Sequence, residues 1–120
     1  MTILIVSRDY DTRTIFAIAL RRKGYVVREL FEPSEIVAAA HDCDLVITDY
    51  PTTTESGATV TELLRAEPRT RSIKILNATT HVFCEEIGNA AEAGVDATLV
   101  LPALPDQVVA RVESLLAEQR

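Results

Sequence analysis

Apolar runs alternate with amphipathic stretches along the whole length of this chain. The first run, Thr2–Val6, is almost continuously apolar and β-branched, as expected of a strand that is covered on both faces. Further strands are predicted at Tyr25–Leu30, Asp44–Thr48, Ile73–Ala78 and Ala97–Leu101. The second of the five strands is more polar than the first, and we therefore expect it to lie at an edge of the sheet.

Amphipathic stretches between and after these strands predict five helices. Their expected spans are about Thr12–Lys23, Pro33–Ala40, a segment after Gly57, Val82–Ala93 and a segment from about Pro105. Ser34 is a candidate N-cap for the second helix, whereas Leu104 leaves the last helix without a side-chain N-cap. The positions expected to face the core are Ile15, Phe16, Ala19 and Leu20 in the first helix, Val60, Leu63 and Leu64 in the third, and Val108, Val109, Val112, Leu115 and Leu116 in the last.

Five strand–helix units in succession predict an α/β fold with a parallel sheet and helices on both of its faces. The 120 residues suit one domain, residues 1–120, without a linker or an internal repeat. Sheets of this type place their functional sites beyond the carboxyl ends of the strands. The informative residues should therefore follow Val6, Thr48, Ala78 and Leu101.

Those strand ends carry a distinctive set of residues. Ser7, Arg8 and Asp9 follow the first strand, and Asp49 follows the third in the string DLVITD. Thr79 and Thr80 follow the fourth strand, and the fifth ends at Leu101–Pro102 within AGVDATLVLP. This arrangement resembles the receiver domains of bacterial response regulators in two-component signalling, from Thr2 to about Leu116.

The resemblance implies a doubly wound, flavodoxin-like sheet with strand order 2-1-3-4-5. It also implies that Asp49 is the phosphoacceptor position, that Thr79 and Pro102 match the family pattern, and that the Leu101–Pro102 peptide is cis. The backbone carbonyl of Pro51 falls at a position where the family ligates a divalent cation. On this resemblance the chain is a signalling domain and not an enzyme.

The chain also departs from the family pattern. Where the family has two adjacent acids after the first strand, Ser7 and Arg8 stand here, and Asp9 is one position late. Leu101 replaces the family's lysine, and Thr98 replaces an aromatic switch residue and is too short to act as an equivalent lever. These changes affect the same phosphorylation reaction.

Magnesium prefers hard oxygen ligands, usually with one or two carboxylates, so Ser7 is a poor ligand and Arg8 is none. If Arg8 points inward it can pair with Asp49 and take the electrostatic place of the metal; if it points outward, Asp9 is left as a weak substitute ligand. Leu101 removes an ammonium that would pair with a phosphoryl group, although the Thr79 hydroxyl remains a possible donor. No metal is expected, and the weak candidates are Asp9, Asp49 and the Pro51 carbonyl.

The expected function is therefore that of a pseudo-receiver, which acts through protein contacts with weak or no magnesium-dependent phosphorylation. A working receiver that is phosphorylated on Asp49 by a histidine kinase is the alternative. Partners would be a kinase, an effector domain or a second copy, bound through the face that the predicted fourth helix, the fifth strand and the last helix form. No cofactor is expected unless phosphorylation, and with it magnesium, is retained.

Other classes of protein fit the sequence less well. A flavodoxin-like domain that binds a small ligand would need a glycine-rich or hydroxyl-rich phosphate loop after the first strand, but SRDYDTRT has no glycine and contains Asp9 and Asp11. The run Thr52–Thr54 is more simply explained as a solvated loop. A hydrolase is disfavoured because no Ser–His or Cys–His pair stands at neighbouring strand ends.

Charge and composition narrow the choice further. The net charge of −6 argues against direct nucleic-acid binding, and no apolar run approaches the roughly 18 residues of a membrane span. A cytoplasmic location is therefore expected. Cys43 and Cys84 form no metal motif and are expected to be buried free thiols, while the isolated His41 and His81 are expected at helix ends or in loops.

Overall fold

The computed structural model describes residues 1–7, 9–31, 35–48, 59–79 and 94–118. Strands and helices alternate through these segments as the hydrophobic pattern predicted. The predicted helix over Val82–Ala93 and the candidate cap Ser34 lie outside the described residues. The elements are β1 (Thr2–Val6), α1 (Tyr10–Arg22), β2 (Val26–Leu30), α2 (Ile36–Ala40), β3 (Leu45–Thr48), α3 (Val60–Ala66), β4 (Lys74–Thr79), β5 (Ala97–Val100) and α4 (Pro105–Ala117).

The five strands form one parallel sheet in the order β2-β1-β3-β4-β5. This confirms the predicted strand order and the edge position of the second strand. Along one row of the sheet, Val6 is paired with Thr48, Thr48 with Asn77, and Asn77 with Thr98. Because all strands run the same way, the segments that follow β1, β3, β4 and β5 emerge at one edge of the sheet. We call this the carboxyl edge.

Two apolar cores cover the two faces of the sheet. Helices α1 and α4 pack on one face and α2 and α3 on the other, because alternate strand residues point to opposite sides. All five core positions predicted in α4 are buried, as are Val60 and Leu64 of α3, whereas Leu63 is partly buried. The Leu104 side chain makes no capping hydrogen bond to α4, as predicted. The Leu104 backbone N–H instead donates to the Gln107 side chain at 2.8 Å.

The prediction that Ile15 faces the core is wrong. Ile15 is 48% exposed, and the buried residues of α1 are Phe16, Ala17 and Leu20, with Ala19 packed at the border of the core. Six consecutive residues from 15 to 20 are apolar, so the periodicity does not determine which stripe of the helix faces inward. The structure turns the Ile15 and Ile18 side chains toward solvent.

One arginine joins three elements at the edge of the sheet opposite the carboxyl edge. The Arg65 guanidinium donates to the carbonyl oxygens of Gly94, Arg71 and Ile73 at 2.6–3.0 Å and to Asp96 Oδ2 at 2.8 Å. Asp96 Oδ2 also accepts the Ile75 N–H at 2.7 Å. Arg65 therefore fastens the end of α3 to the segments that lead into β4 and β5.

The isolated thiol and imidazole take structural positions. Cys43 is a buried free cysteine, as predicted, and burial raises the pKa of its thiol. His41 is the exposed residue that ends α2, also as predicted. Cys84 and His81 lie outside the described residues. Within the described ranges, no helix is long and apolar enough to cross a bilayer.

Candidate functional site

Ser7 lies at the end of β1, where the carboxyl edge begins. It is only 5% exposed, and its backbone N–H donates to the Leu30 carbonyl at 3.2 Å. Its hydroxyl accepts the Asp9 N–H at 3.1 Å. Ser7 thus presents a buried, neutral oxygen that already supports the turn into α1.

Asp9 is the N-cap of α1. Its Oδ1 accepts the Asp11 N–H at 3.1 Å and its Oδ2 accepts the Thr12 hydroxyl at 2.7 Å, which satisfies an N–H group that the first helical turn leaves without a partner. The Thr12 hydroxyl, together with backbone N–H groups, lowers the pKa of Asp9. Asp9, which the sequence suggested as a substitute metal ligand, therefore also caps the start of α1.

Arg13 is a residue of this region that sequence reasoning missed. Its Nη1 donates to the Ser7 carbonyl oxygen at 2.6 Å, its Nε lies 3.4 Å from a Glu29 carboxylate oxygen, and its side chain is 12% exposed. The Tyr10 and Phe31 rings each have their centroid 5.6 Å from the guanidinium carbon. An arginine one turn after a helix N-cap was the available signal, but its contact with the preceding strand is a tertiary feature.

The β4 and β5 ends meet beside this region. Thr79 is the last residue of β4, is 6% exposed, and accepts the Leu101 backbone N–H on its carbonyl oxygen at 2.7 Å. The Leu101 side chain packs against the core that α1 and α4 cover. The Leu101–Pro102 peptide is cis, as predicted. Thr98 lies half-buried within β5, opposite Asn77.

A cleft of about 310 Å³ lies between residues of the start of α1 and residues that follow β5. Its lining combines the start of α1 with the connection between β5 and α4. Asp9, Leu101 and Pro102, which were predicted to share a pocket, do so. Ser7 is hydrogen-bonded to Asp9 and Thr79 to Leu101, but neither is among the described residues that line the cleft. The lining residues are Asp9, Thr12, Ile15, Phe16, Leu101, Pro102 and Ala103.

The described part of the site does not match the ligand set that magnesium prefers. Ser7 contributes a neutral hydroxyl, Arg13 holds the carbonyl oxygen of the same residue, and the Asp9 carboxylate caps its helix. Among the residues that the structure describes, no group of three or more acids, histidines or cysteines is placed to hold a metal ion. Arg8, Asp49 and Pro51, which were predicted to complete the site, lie outside the described residues.

Comparison with known proteins assigns the chain to a family. The response regulator receiver domain family matches residues 3–113, and the chain therefore belongs to that family. It is a receiver domain of two-component signalling, a class of signalling domains that work with protein partners. A sequence search of curated proteins gave no significant match.

Solved structures share the fold of this chain. A response regulator from Desulfuromonas acetoxidans is similar with a TM-score of 0.91 at 20% identity, over 99% of this chain and 98% of that one. A putative response regulator from Chloroflexus aurantiacus has a TM-score of 0.85 at 28% identity, over 97% of each chain. The receiver domain of a Pseudomonas aeruginosa sensor histidine kinase, solved with a magnesium ion coordinated in its active-site cleft, has a TM-score of 0.82 at 21% identity over 97% of each chain.

The cap at Asp9 gives a testable pH dependence. Replacing Asp9 with Ala should lower the free energy of unfolding by about 1 kcal/mol at pH 7, because the cap is lost. The folded-state pKa of Asp9 lies below its ordinary value of 3.8, so its contribution is present above that value and is lost as the pH falls through the lowered pKa. Urea unfolding between pH 2 and 7 measures both effects.

The matched control is Asp9→Asn, which keeps a capping oxygen but cannot titrate. It should remain nearly as stable as the natural chain at pH 7 and should lose the part of the acid dependence that comes from this residue. If Asp9→Asn is as destabilised as Asp9→Ala, the capping interpretation fails.

Proposed function

We propose that this receiver domain signals through protein contacts, with weak or no magnesium-dependent phosphorylation of Asp49. The proposal is supported chiefly by Ser7, which stands where the family has a metal-binding acid. Ser7 is only 5% exposed, and its hydroxyl already accepts the Asp9 N–H. A neutral hydroxyl in this place lacks the charge that holds a dication.

Arg13 adds to this electrostatic effect. Its guanidinium donates a 2.6 Å hydrogen bond to the Ser7 carbonyl oxygen, so a positive charge lies beside the backbone of the residue that replaces the family's first acid. Glu29 at 3.4 Å offsets part of that charge. Positive charges a few ångströms apart in a partly shielded site repel by about 1–4 kcal/mol, which disfavours a cation beside Ser7.

Leu101 supports the same proposal from the other side of the site. The family places a lysine here, which would pair with an attached phosphoryl group. In this chain the side chain at that position is apolar and packs against the core beneath α1 and α4. The phosphorylated state would lack a charge-assisted contact worth about 1.5–3 kcal/mol.

Protein partners would use the surface near the carboxyl edge and β5. Strand β5 is an edge strand, Val100 on it is 40% exposed, and Leu104 in the connection to α4 is 69% exposed. Exposed apolar side chains on an edge strand and its loop are suited to a protein contact. The predicted helix that would complete this face lies outside the described residues.

Treatment with a small acyl phosphate and magnesium tests the proposal. The phosphoryl group would pass from the donor to a carboxylate oxygen of Asp49 and would release the donor's carboxylate, which adds one phosphoryl mass to the chain. We expect an adduct on the natural chain at least about tenfold less abundant than on the variant with Ser7→Asp, Arg8→Asp and Leu101→Lys, because that variant regains the charges of the reaction. Intact-mass spectrometry measures both.

The Asp49→Ala variant is the control for both chains, since it removes the proposed acceptor. A stoichiometric adduct on the natural chain that disappears in Asp49→Ala would establish the alternative function, a working phosphoacceptor. The buried Thr79 at the end of β4 favours this alternative, because its position matches the family pattern.

A further inference from the structure

The cleft beside the site has the composition of a small-molecule pocket. At about 310 Å³ it lies at the lower end of the range of ligand sites, which is roughly 300–1,000 Å³. One wall comes from α1 (Ile15, Phe16) and the other from the β5–α4 connection (Leu101, Pro102, Ala103), and all five are apolar. Such walls bind hydrocarbon through the area that they remove from water.

The polar groups of the cleft lie together at one end. Asp9 and Thr12 are joined by a 2.7 Å hydrogen bond, and the Asp11 N–H holds the second carboxylate oxygen of Asp9 at 3.1 Å. These bonds fix the orientation of the carboxylate and favour its ionised form. Asp11 brings a second acid into the first turn of α1. None of the described residues that line the cleft carries a positive charge.

Together with the Thr12 hydroxyl, the positive charge of Arg13 helps to lower the pKa of Asp9, but the hydrogen bonds and the ion pair of Arg13 are made with other groups. Arg13 donates to the Ser7 carbonyl oxygen and pairs with Glu29, and its guanidinium lies near the Tyr10 and Phe31 rings. An anionic end and an apolar body select a ligand of matching character. A neutral apolar compound would leave the carboxylate unpaired by the ligand, and an anion would be repelled.

We propose that this cleft binds a small apolar organic cation, such as an alkylammonium or cycloalkylammonium compound. The hydrocarbon part lies between Ile15, Phe16 and Leu101, and the ammonium group donates a hydrogen bond to the Asp9 carboxylate. A ligand in this place contacts α1 and the β5–α4 connection at the same time. The proposal is independent of phosphorylation and goes beyond the function proposed above.

Methyl NMR of the full chain tests the proposal directly. The probes are cyclohexylmethylamine, the neutral cyclohexylmethanol and the anionic cyclohexanecarboxylate. We expect saturable shifts of the Ile15, Leu101 and Ala103 methyl signals, with the amine binding about threefold more tightly than the alcohol, as for an exposed ion pair, and the carboxylate binding most weakly. The Val26 methyls, 58% exposed on β2, the strand farthest from β5 in the sheet, serve as the control for nonspecific contact.

Two variants separate the apolar and charged contributions. Asp9→Asn should remove the preference for the amine over the alcohol and leave binding of the alcohol unchanged. Ala103→Phe should fill the cleft and abolish binding of all three probes. Ile18→Ala, on the exposed side of the same helix and outside the cleft, should bind like the natural chain. Unchanged methyl signals of the core show that each variant is folded.

Three results would overturn the proposal. One is the absence of saturable shifts specific to the cleft methyls, whether no shift occurs there or shifts of the same size occur at Val26. Another is an amine preference that survives in Asp9→Asn. The third is a shift of the same methyl signals with protein concentration alone, because that result would assign the cleft to a second copy of the chain.

Discussion

Replacing Arg65 with Met should lower the free energy of unfolding by about 3 kcal/mol. Methionine keeps an apolar stem but has no guanidinium. In the natural chain the guanidinium N–H groups donate to the carbonyl oxygens of Gly94, Arg71 and Ile73. The Asp96 carboxylate would lose its charged partner at 2.8 Å. The Arg65 side chain is 23% exposed, so water can replace only some of these hydrogen bonds. The other carbonyl oxygens would be left without a donor, which is costly in a partly buried place.

Urea unfolding followed by far-UV circular dichroism measures this loss. Arg65→Lys should cost about half as much, because one ammonium cannot reach acceptors on three segments at once. Arg71→Ala is the matched control: Arg71 is exposed and enters the network only through its backbone carbonyl, so its loss should change stability by less than about 0.5 kcal/mol. A loss of less than about 0.5 kcal/mol in Arg65→Met would contradict the assigned role.

Gly94 belongs to the same network. Its φ is +110°, a conformation that L side chains rarely adopt, and a Cβ there would lie 3.1 Å from Arg65 Cγ. Close approach of the Arg65 side chain and the positive φ therefore both require glycine at this position. Gly94 directly follows the helix that the sequence predicts over Val82–Ala93, but the arginine 29 positions earlier that binds its carbonyl was not predictable from local pattern.

The strands and α4 were predictable because their patterns allow one solution. In α4, Val108, Val109, Val112, Leu115 and Leu116 recur at helical spacing among polar residues, so the buried stripe is unambiguous, and all five are buried. Helix α1 lacks that contrast, since its central residues are apolar on every side. The exposure of Ile15 and Ile18 is decided by the packing of α1 beside β2 and α4, which is tertiary information.

The candidate site was predictable in position and less so in detail. Parallel strands bring the ends of β1, β4 and β5 to one edge of the sheet, so the strand-end positions of Ser7, Thr79 and Leu101 were predictable. The capping role of Asp9 had a local signal, an Asp followed by Asp11 and Thr12, but the helix was predicted to begin two residues late, at Thr12 instead of Tyr10. The contact of Arg13 with Ser7 and Glu29 joins a helix to two strands and has no local signature.

Restoring two acids after β1 should create a magnesium site. In the variant Ser7→Asp with Arg8→Asp, the chain regains both family acids at the end of a strand whose neighbour β3 leads directly into Asp49. Ser7→Asp adds a negative charge and Arg8→Asp exchanges a positive charge for a negative one, so both substitutions strengthen the attraction of a dication, and magnesium affinity should rise at least about 100-fold. Isothermal titration calorimetry of the natural chain and the variant measures the change.

Stability provides an independent measurement of the same site. Without magnesium the variant should unfold more easily than the natural chain, because Ser7 is 5% exposed and a carboxylate placed there is costly without a counter-ion. Saturating magnesium should recover that loss in the variant by mass action and leave the natural chain unchanged. The matched control is Ser7→Asn with Arg8→Asn, which has nearly the same side-chain shapes and no charge. If this control binds magnesium as well as the acidic variant, or if the acidic variant binds no better than the natural chain, the absence of carboxylates is not what weakens the site.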